Sequence, residues 1–301
     1  MSTSSTQVVL GANGSIAQGV LKELLRRQLP IRAVSRSIQP SEHYETQQAD
    51  LLDLEQTKQA VAGAEVVYLC VGLPYHMEVW DTQWEILMQN TIEACAAADA
   101  KLIFLDNIYL YGPAPLQVPI AEDHPLRPPS VKGQARKRTV ELFMQAIETG
   151  KIEGLIGRAP DIYGPGAINS TLYNSFLERM LQGKAPQFLG DPTQPHNFAH
   201  VDDLGRALVW LALDEGAYSQ AWHLPTGPVT TVQALADQMN QILGTNYKVQ
   251  AMSGPMVTLL SWFIPIVKEV KEMLYQFRHP YEFDWTAFRQ RYPDFPVTTY
   301  A

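Results

Sequence analysis

The sequence predicts an α/β fold, a doubly wound parallel sheet covered by helices on both faces, with a smaller mixed α/β lobe toward the C-terminus. Three observations predict it. Short apolar runs alternate with longer amphipathic segments from Gln7 to Arg158, the rhythm of right-handed strand, helix, strand crossovers. A glycine-rich turn, Gly11-Ala12-Asn13-Gly14, closes the first run. From about Gly164 onward the alternation dissolves into loops such as Gly190-Asp191-Pro192-Thr193-Gln194-Pro195.

Each element follows from its own pattern. Gln7-Val8-Val9-Leu10 reads as a strand, and Ser15 to Gln28 as a helix with Ile16, Val20, Leu21, Leu24 and Leu25 on one side. Ile31-Arg32-Ala33-Val34 is the second strand. Asp50-Leu51-Leu52-Asp53 closes a third extended piece before a helix whose apolar face includes Leu54, Ala60 and Val61. Val66 to Val71 is nearly all apolar rather than alternating, as a parallel strand buried on both faces requires. A long helix from about Val79 to Ala98 leads to the strand Lys101-Leu102-Ile103-Phe104-Leu105. A proline-rich loop precedes a helix over roughly Ser130 to Thr149, and Leu155-Ile156-Gly157-Arg158 is the sixth strand. Further on, Thr230 or Thr231 is placed to cap a helix beginning near Val232, and Asp202-Asp203 to cap the helix that follows them.

Composition narrows the function. The chain has 301 residues and a formal net charge of −8, a sign that repels duplex nucleic acid and anionic membranes, so neither is the expected partner. Cys70 and Cys95 are the only cysteines, both in apolar segments, which leaves almost no material for a disulfide scaffold or a zinc site. No metal site is expected. His196 and His200 share a four-residue spacing, but Pro195 and the surrounding loop residues argue against one metal-binding helical face. Met1 to Thr6 is polar and uncharged, unlike a secretory signal, and the expected compartment is the cytoplasm. The longest apolar run, Met256 to Val267, contains Pro265 and is shorter than the roughly twenty residues of a membrane-spanning helix. It is expected to pack as a helix of the C-terminal lobe, with an exposed interfacial or oligomeric surface as the alternative.

The first turn carries the strongest chemical signal. Gly11 suits a tight turn, Gly14 lets the backbone approach a pyrophosphate, and Ala17 permits close helix–strand packing. Asn13, Ser15 and Ile16 would then lie against the phosphates, where the helix N-terminus offers free N–H donors and a positive dipole end. The pattern is that of a Rossmann-type dinucleotide site. At the end of the second strand, where a carboxylate would bind the ribose 2′-hydroxyl of NAD, stands Ser35-Arg36-Ser37. A guanidinium flanked by hydroxyls suits a 2′-phosphate, so NADP is the expected cofactor, with NAD as the alternative.

Four ordered motifs resemble the extended short-chain dehydrogenase/reductase superfamily across nearly the whole chain. They are Gly11-x-x-Gly14-x-x-Ala17, Asp50-Leu51, the run Arg158-Ala159-Pro160-Asp161-Ile162-Tyr163-Gly164-Pro165-Gly166, and His200-Val201-Asp202-Asp203-Leu204. The resemblance implies a nucleotide-binding domain over residues 1–165, to which late elements near 195–225 return, and a smaller substrate lobe over 166–301. It also implies that Asp50 and Leu51 flank the adenine and that Val71 and Gly72 line the ribose side. A small-molecule substrate is implied, and a homodimer is the assembly such relatives often form.

The departures matter as much. Active members of that superfamily carry a Tyr-x-x-x-Lys pair on the helix after the fifth strand and a Ser or Thr just after that strand. Here Lys132-Gly133-Gln134-Ala135-Arg136 stands where that pair is expected, or Gly133 to Lys137 in the alternative register, and Asp106-Asn107 replaces the serine-rich stretch. This pattern, with Trp222-His223-Leu224-Pro225 and Met273-Leu274-Tyr275-Gln276, resembles an atypical branch described as NAD-dependent epimerase or dehydratase. The candidate catalytic residues are Lys132, Arg136, Asn107 and Tyr109; Lys132 would serve as a base if the like charge of Arg136 lowered its pKa. Tyr75, His76, Trp80 and Tyr111 are the candidate substrate contacts, with Trp84 beside them. The readings are an oxidoreductase or epimerase with a non-standard acid, acting on a carbonyl/hydroxyl or nucleotide-sugar-like substrate; a non-catalytic NADP-binding redox sensor or regulatory protein; and a reductase or isomerase of a lipid-like molecule. Lys132, Arg136, Lys137 and Arg138 together read as a solvated helix face, with Arg136 able to turn inward.

Overall fold

Aliphatic and β-branched side chains fill both faces of the central strands, and in the computed structural model those strands form one parallel sheet. The structure describes residues 6–252, 257, 259, 261–263 and 265–300. Residues 1–5 of the polar N-terminus and residues 256, 258, 260 and 264 of the apolar run lie outside the described residues. Six strands of the sheet come first along the chain: β1 (Thr6–Leu10), β2 (Ile31–Ser35), β3 (Glu45–Gln48), β4 (Ala64–Leu69), β5 (Lys101–Asn107) and β6 (Gly154–Ala159). After them come β7 (Asp161–Tyr163), β8 (Gln187–Phe188), β9 (Pro195–His196), β10 (Phe198–His200), β11 (Ala221–His223), β12 (Thr230–Thr231) and β13 (Gln250–Ala251). The sheet order is β11-β6-β5-β4-β1-β2-β3, and every neighbouring pair is parallel. The order reverses between β1 and β4, and in such sheets the ligand crevice lies beyond the carboxyl ends of those strands.

Two apolar layers sandwich the sheet. On one face, α2 (Leu54–Val61), α3 (Met77–Ala98) and α4 (Val131–Glu148) bury Trp84, Leu87, Met88, Ile92, Ala135 and Phe143 against Val67, Leu69 and Phe104. On the other, α1 (Ser15–Arg26) and α6 (Val201–Ala212) bury Val20, Leu24, Leu204 and Leu208 against Val9, Tyr68 and Leu155. Phe288 and Phe295 near the C-terminus join this second layer. A third cluster, with Phe176, Phe188, Phe198, Leu235 and Phe277, holds the small lobe around α5 (Glu178–Leu181) and α7 (Val232–Leu243).

The differences from the sequence reading have local causes. The third extended piece is β3, four polar residues on the sheet edge, half exposed and so without apolar periodicity. Asp50 to Asp53 is the turn that follows, and the Asp53 carboxylate caps α2 by accepting from the Gln56 N–H at 3.0 Å. Thr231 caps α7 through the Ala234 N–H, 3.0 Å away. The cap of α6 is His200, whose Nδ1 accepts from the Asp202 N–H. Its two aspartates do other work: Asp202 pairs with Lys22 of α1 at 2.8 Å, and Asp203 accepts from Thr298 N–H at 2.6 Å and Thr298 Oγ1 at 2.9 Å, tying down the C-terminal tail.

Helices α1 and α6 cross at Gly19 and Gly205. A Cβ on Gly205 would stand 2.3 Å from the Gly19 carbonyl carbon and the Val20 nitrogen, so the crossing can exist only with both side chains absent. Gly205→Ala is expected to destabilise the protein by about 2–3 kcal/mol, read from urea denaturation. Gly72→Ala, where a Cβ meets open space, should leave stability within about 0.5 kcal/mol of the parent.

Candidate functional site

The glycine turn forms a cradle because its backbone presses on the neighbouring strand end. Gly11 has φ of +81°, and a Cβ there would lie 2.8 Å from Val71 Cα and 2.9 Å from the Cys70 carbonyl carbon; only glycine satisfies both demands. The turn is pinned by Gly11 N–H and Ala12 N–H donating to the Val34 carbonyl at 2.9 and 3.0 Å, and by Gly14 N–H donating to Gly11 O at 2.9 Å. Gly14 is the N-cap of α1 and brings no side-chain cap, and the first turn holds no acidic residue. The N–H groups at Ser15 and Ile16 therefore face a place suited to an anion rather than to a protein carboxylate. These residues fit a dinucleotide pyrophosphate.

The other predicted cofactor residues gather around the same strand ends. Asn13 is exposed and its Nδ2 donates to Ser37 Oγ at 3.4 Å, joining the turn to the loop after β2. Arg36 beside it is exposed, and its guanidinium makes no ion pair among the described residues. Asp50 accepts from the Leu52 N–H at 3.1 Å while Leu51 is buried. Val71 and Gly72 follow β4 after Cys70, with Val71 against Gly11.

Lys132 departs from its expected setting. It is fully buried, and its ammonium donates to Glu269 Oε2 at 2.7 Å, to the Glu269 carbonyl at 2.9 Å and to Glu272 Oε1 at 3.1 Å. All three N–H donors are satisfied, and the charges next to it are carboxylates rather than the guanidinium invoked from the sequence. The same carboxylates cap two helices. Glu269 accepts from the Met77 N–H of α3 at 2.7 Å, and Glu272 from the Val131 N–H of α4 at 2.8 Å. The helix Pro265–Lys271 is thereby strapped across both N-termini. His76 stays exposed, with Nδ1 3.9 Å from Glu269.

An aromatic cluster surrounds this clamp. The Lys132 ammonium lies 4.4 Å from the Tyr75 ring centre, Tyr75 and Trp80 meet edge to face at 5.8 Å, and Trp80 stacks on Tyr109 at 5.7 Å. Trp80 thus packs against both tyrosine rings. Burial pushes the Tyr109 hydroxyl up to about 12, with Asp161 adding to the rise and Tyr75 and Arg136 opposing it; burial raises Tyr75 further still. Tyr109 is therefore the more acidic of the pair. Its N–H is held by Asn107 Oδ1 at 3.0 Å, and Gly133 lets α4 press against its carbonyl, where a Cβ would come within 2.4 Å.

Arg136 and Tyr111 belong to a second, buried network. The Arg136 guanidinium lies 3.9 Å from the Trp84 ring centre and 3.1 Å from Asp106 Oδ1, though poorly aligned for a hydrogen bond. Asp106 Oδ2 accepts from Arg158 Nε at 3.2 Å, and Arg158 Nη1 donates to the Tyr111 hydroxyl at 2.8 Å. That hydroxyl meets His223 Nε2 at 2.7 Å, while His223 Nδ1 is 2.6 Å from the Asp284 carbonyl. A carbonyl can only accept, so Nδ1 carries the proton and Nε2 accepts from Tyr111. Burial, with Arg158 nearby, holds the His223 imidazole down at about 3. Tyr111 is thus enclosed in this chain of bonds instead of lining the place where Tyr75 and Trp80 meet. Of the four basic residues read as a solvated face, Lys132 and Arg136 point inward, and only Lys137 and Arg138 pair with surface acids.

Sequence reasoning missed Glu269, Glu272, Asp161 and His223 as site partners. His196 Nε2 pairs with Asp161 Oδ2 at 2.8 Å, and the His196 ring stacks on Tyr281 at 4.3 Å. Only the acidic spacing Glu269-x-x-Glu272, which puts two carboxylates on one helical face, was a readable signal.

Comparison with known proteins gives the geometry a context. The family model of the NAD dependent epimerase/dehydratase family matches residues 7–222. The chain is 24% identical over 177 residues to a dTDP-6-deoxy-L-talose 4-dehydrogenase (NAD(P)(+)) of Kitasatospora kifunensis, 56% of this chain and 55% of that protein. The match thus spans about half the length of that curated relative. Among solved structures, MoeE5 in complex with UDP-glucose and NAD superposes with a TM-score of 0.72 at 23% identity, covering 84% of this chain and 86% of the other. UDP-glucuronic acid 4-epimerase from Bacillus cereus, in complex with UDP-glucuronic acid and NAD, gives 0.79 at 16% identity over 97% and 94%. At these identities the structures are alike in fold.

Two outcomes test the buried network. Asp106→Ala strands two buried guanidiniums and should cost about 3–5 kcal/mol of stability in chemical denaturation. His223 stays neutral in the folded protein while the unfolded chain takes up a proton below about pH 6.5. Its contribution is therefore complete above that pH and is lost as pH falls toward about 3, at up to about 1.4 kcal/mol per pH unit. His223→Gln should flatten that part of the stability–pH curve, and an unchanged slope would remove His223 as its source.

Proposed function

The chain belongs to the NAD dependent epimerase/dehydratase family, and from that premise we propose that it is an NAD(P)-dependent oxidoreductase or epimerase acting on a carbonyl/hydroxyl centre of a nucleotide-sugar-like substrate, with Tyr109 as its acid and base. The observation that carries the assignment is the set of partners around the four candidate catalytic groups. The Lys132 ammonium is taken by two carboxylates, Arg136 by Asp106, and the Asn107 oxygen by the Tyr109 N–H. Burial keeps the Tyr109 hydroxyl protonated, its pKa pushed up to about 12, so it holds an exchangeable proton. It stands just past the carboxyl end of β5, on the side of the sheet where the glycine turn lies.

A nicotinamide dinucleotide held at that turn would supply the hydride acceptor or donor. Gly11 and Gly14 allow close backbone approach, and the N–H groups at Ser15 and Ile16 bind the pyrophosphate. Tyr109 gives its proton to a carbonyl oxygen, becoming a tyrosinate, or as the tyrosinate takes one from a hydroxyl. The Arg136 charge also favours that tyrosinate, and Trp80 holds the Tyr109 ring in place by stacking. Arg36, exposed beside the turn, favours NADP through charge-assisted bonds to a 2′-phosphate. The relatives bind UDP-glucose or UDP-glucuronic acid, which motivates the substrate class. The enclosure of Lys132 by Glu269 and Glu272 favours a second reading, a dinucleotide-binding regulatory protein that does not turn its cofactor over.

Titration with NADPH and NADH, then a panel of UDP- and dTDP-sugars followed by absorbance and product chromatography, separates the two readings. Turnover of a sugar nucleotide supports the enzyme, whereas binding without turnover of any supports the regulator. Tyr109→Phe should lower kcat by roughly 10²–10⁴-fold with dinucleotide affinity unchanged; full activity in this variant would remove Tyr109 from the mechanism. Arg36→Ala should weaken NADPH roughly ten- to a hundredfold and leave NADH nearly untouched, and equal losses would overturn the NADP preference.

A further inference from the structure

The segment that straps α3 and α4 has an outer face whose chemistry is opposite to that of the protein as a whole. Its inner side is occupied: Val257, Met273, Leu274 and Phe277 are buried, and Glu269 and Glu272 are turned onto Lys132 and the two helix N-termini. The outer side shows Leu259 at 54%, Trp262 at 74% and Phe263 at 76% exposure, the two aromatics on a turn. Close behind in sequence, Lys268, Lys271 and Arg278 are exposed. Lys268 and Lys271 are three apart, as are Glu269 and Glu272, so the helix Pro265–Lys271 and the residue after it sort charge by face. A chain with net charge −8 thus exposes, within one short segment, a Trp-Phe pair on a turn and three cations, while that segment's acids at Glu269 and Glu272 are turned inward.

We propose that this face docks the protein onto an anionic lipid surface. A tryptophan and a phenylalanine carried on a turn, backed by lysines, match the interfacial layer of a bilayer, where amphipathic rings sit at headgroup depth and cations meet anionic lipid. A second copy of the chain fits less well, because a two-fold contact through this patch would bring its lysines together with their own acids turned inward. No helix among the described residues is long and apolar enough to cross a membrane, so the attachment is peripheral. The docked element is the one bonded to Lys132.

Co-sedimentation of the full chain with vesicles of phosphatidylcholine alone, or of phosphatidylcholine with phosphatidylglycerol, tests the proposal. The protein should bind the anionic vesicles, less so at high salt, and leave neutral ones largely in the supernatant. Trp262→Ala with Phe263→Ala should weaken binding at least about tenfold, and Lys268→Glu with Lys271→Glu should weaken it by a similar factor. These side chains are exposed, and an unchanged thermal melt confirms that the variants fold. Failure of the parent to bind anionic vesicles overturns the proposal, as does binding that neither pair of substitutions changes. Self-association in sedimentation velocity, lost in the Trp262→Ala variant without vesicle binding by the parent, would assign the patch to a second copy instead.

Discussion

A single carboxylate, Asp106, lies between two buried guanidiniums, and the half of the sheet that carries β5, β6 and β11 is arranged around that constraint. Two buried cations with one buried anion cannot stand alone in a low-dielectric interior. The excess charge is spread along hydrogen bonds to Tyr111 and over the faces of Trp84 and Phe104. Because Asp106 sits on β5, Arg158 on β6, Arg136 on α4 and His223 on β11, the cluster ties the strands that carry the site to the helix beside it. Through His223 and the Asp284 carbonyl it also reaches the C-terminal region. The neutral imidazole at the end of this chain follows from the same physics: next to Arg158 and away from water, a second positive charge would be unsupported.

A second charge arrangement closes the region above the first. Lys132 and its two carboxylates draw the helix Pro265–Lys271 over the starts of α3 and α4, where backbone N–H groups lack intrahelical partners. The carboxylates therefore satisfy an ammonium and two helix ends together. Between these two charge groups lie the aromatic rings, with Tyr109 placed by an Asn107 turn below and a Trp80 stack beside it.

Much of the architecture was legible from local pattern. Strands β1, β2, β4, β5 and β6 and the helices between them were read within a few residues, because each is long, apolar and flanked by a change of period. Strand β3 was misplaced by a few residues because an edge strand of Glu45-Thr46-Gln47-Gln48 has no apolar face to read. The three residues of β11 were invisible as a strand, since they pair with β6 from more than sixty positions away. Lys132 was assigned the wrong neighbours for the same reason: Arg136 is close in sequence, whereas Glu269 lies 137 positions on.

The sequence by itself determined the doubly wound sheet, the glycine turn at its first crossover and the family to which the chain belongs, because these are announced by local periodicity and by residue types that few other conformations tolerate. Gly11 is the clearest case, since its positive φ and its approach to Val71 exclude any side chain. Tertiary structure alone decided which charges meet. The sequence shows that Lys132, Arg136, Asp106 and Tyr111 are present, but burial and pairing are set by the elements that come to lie on top of them. For a buried ion, the identity of its partner is what separates a base from a clamp.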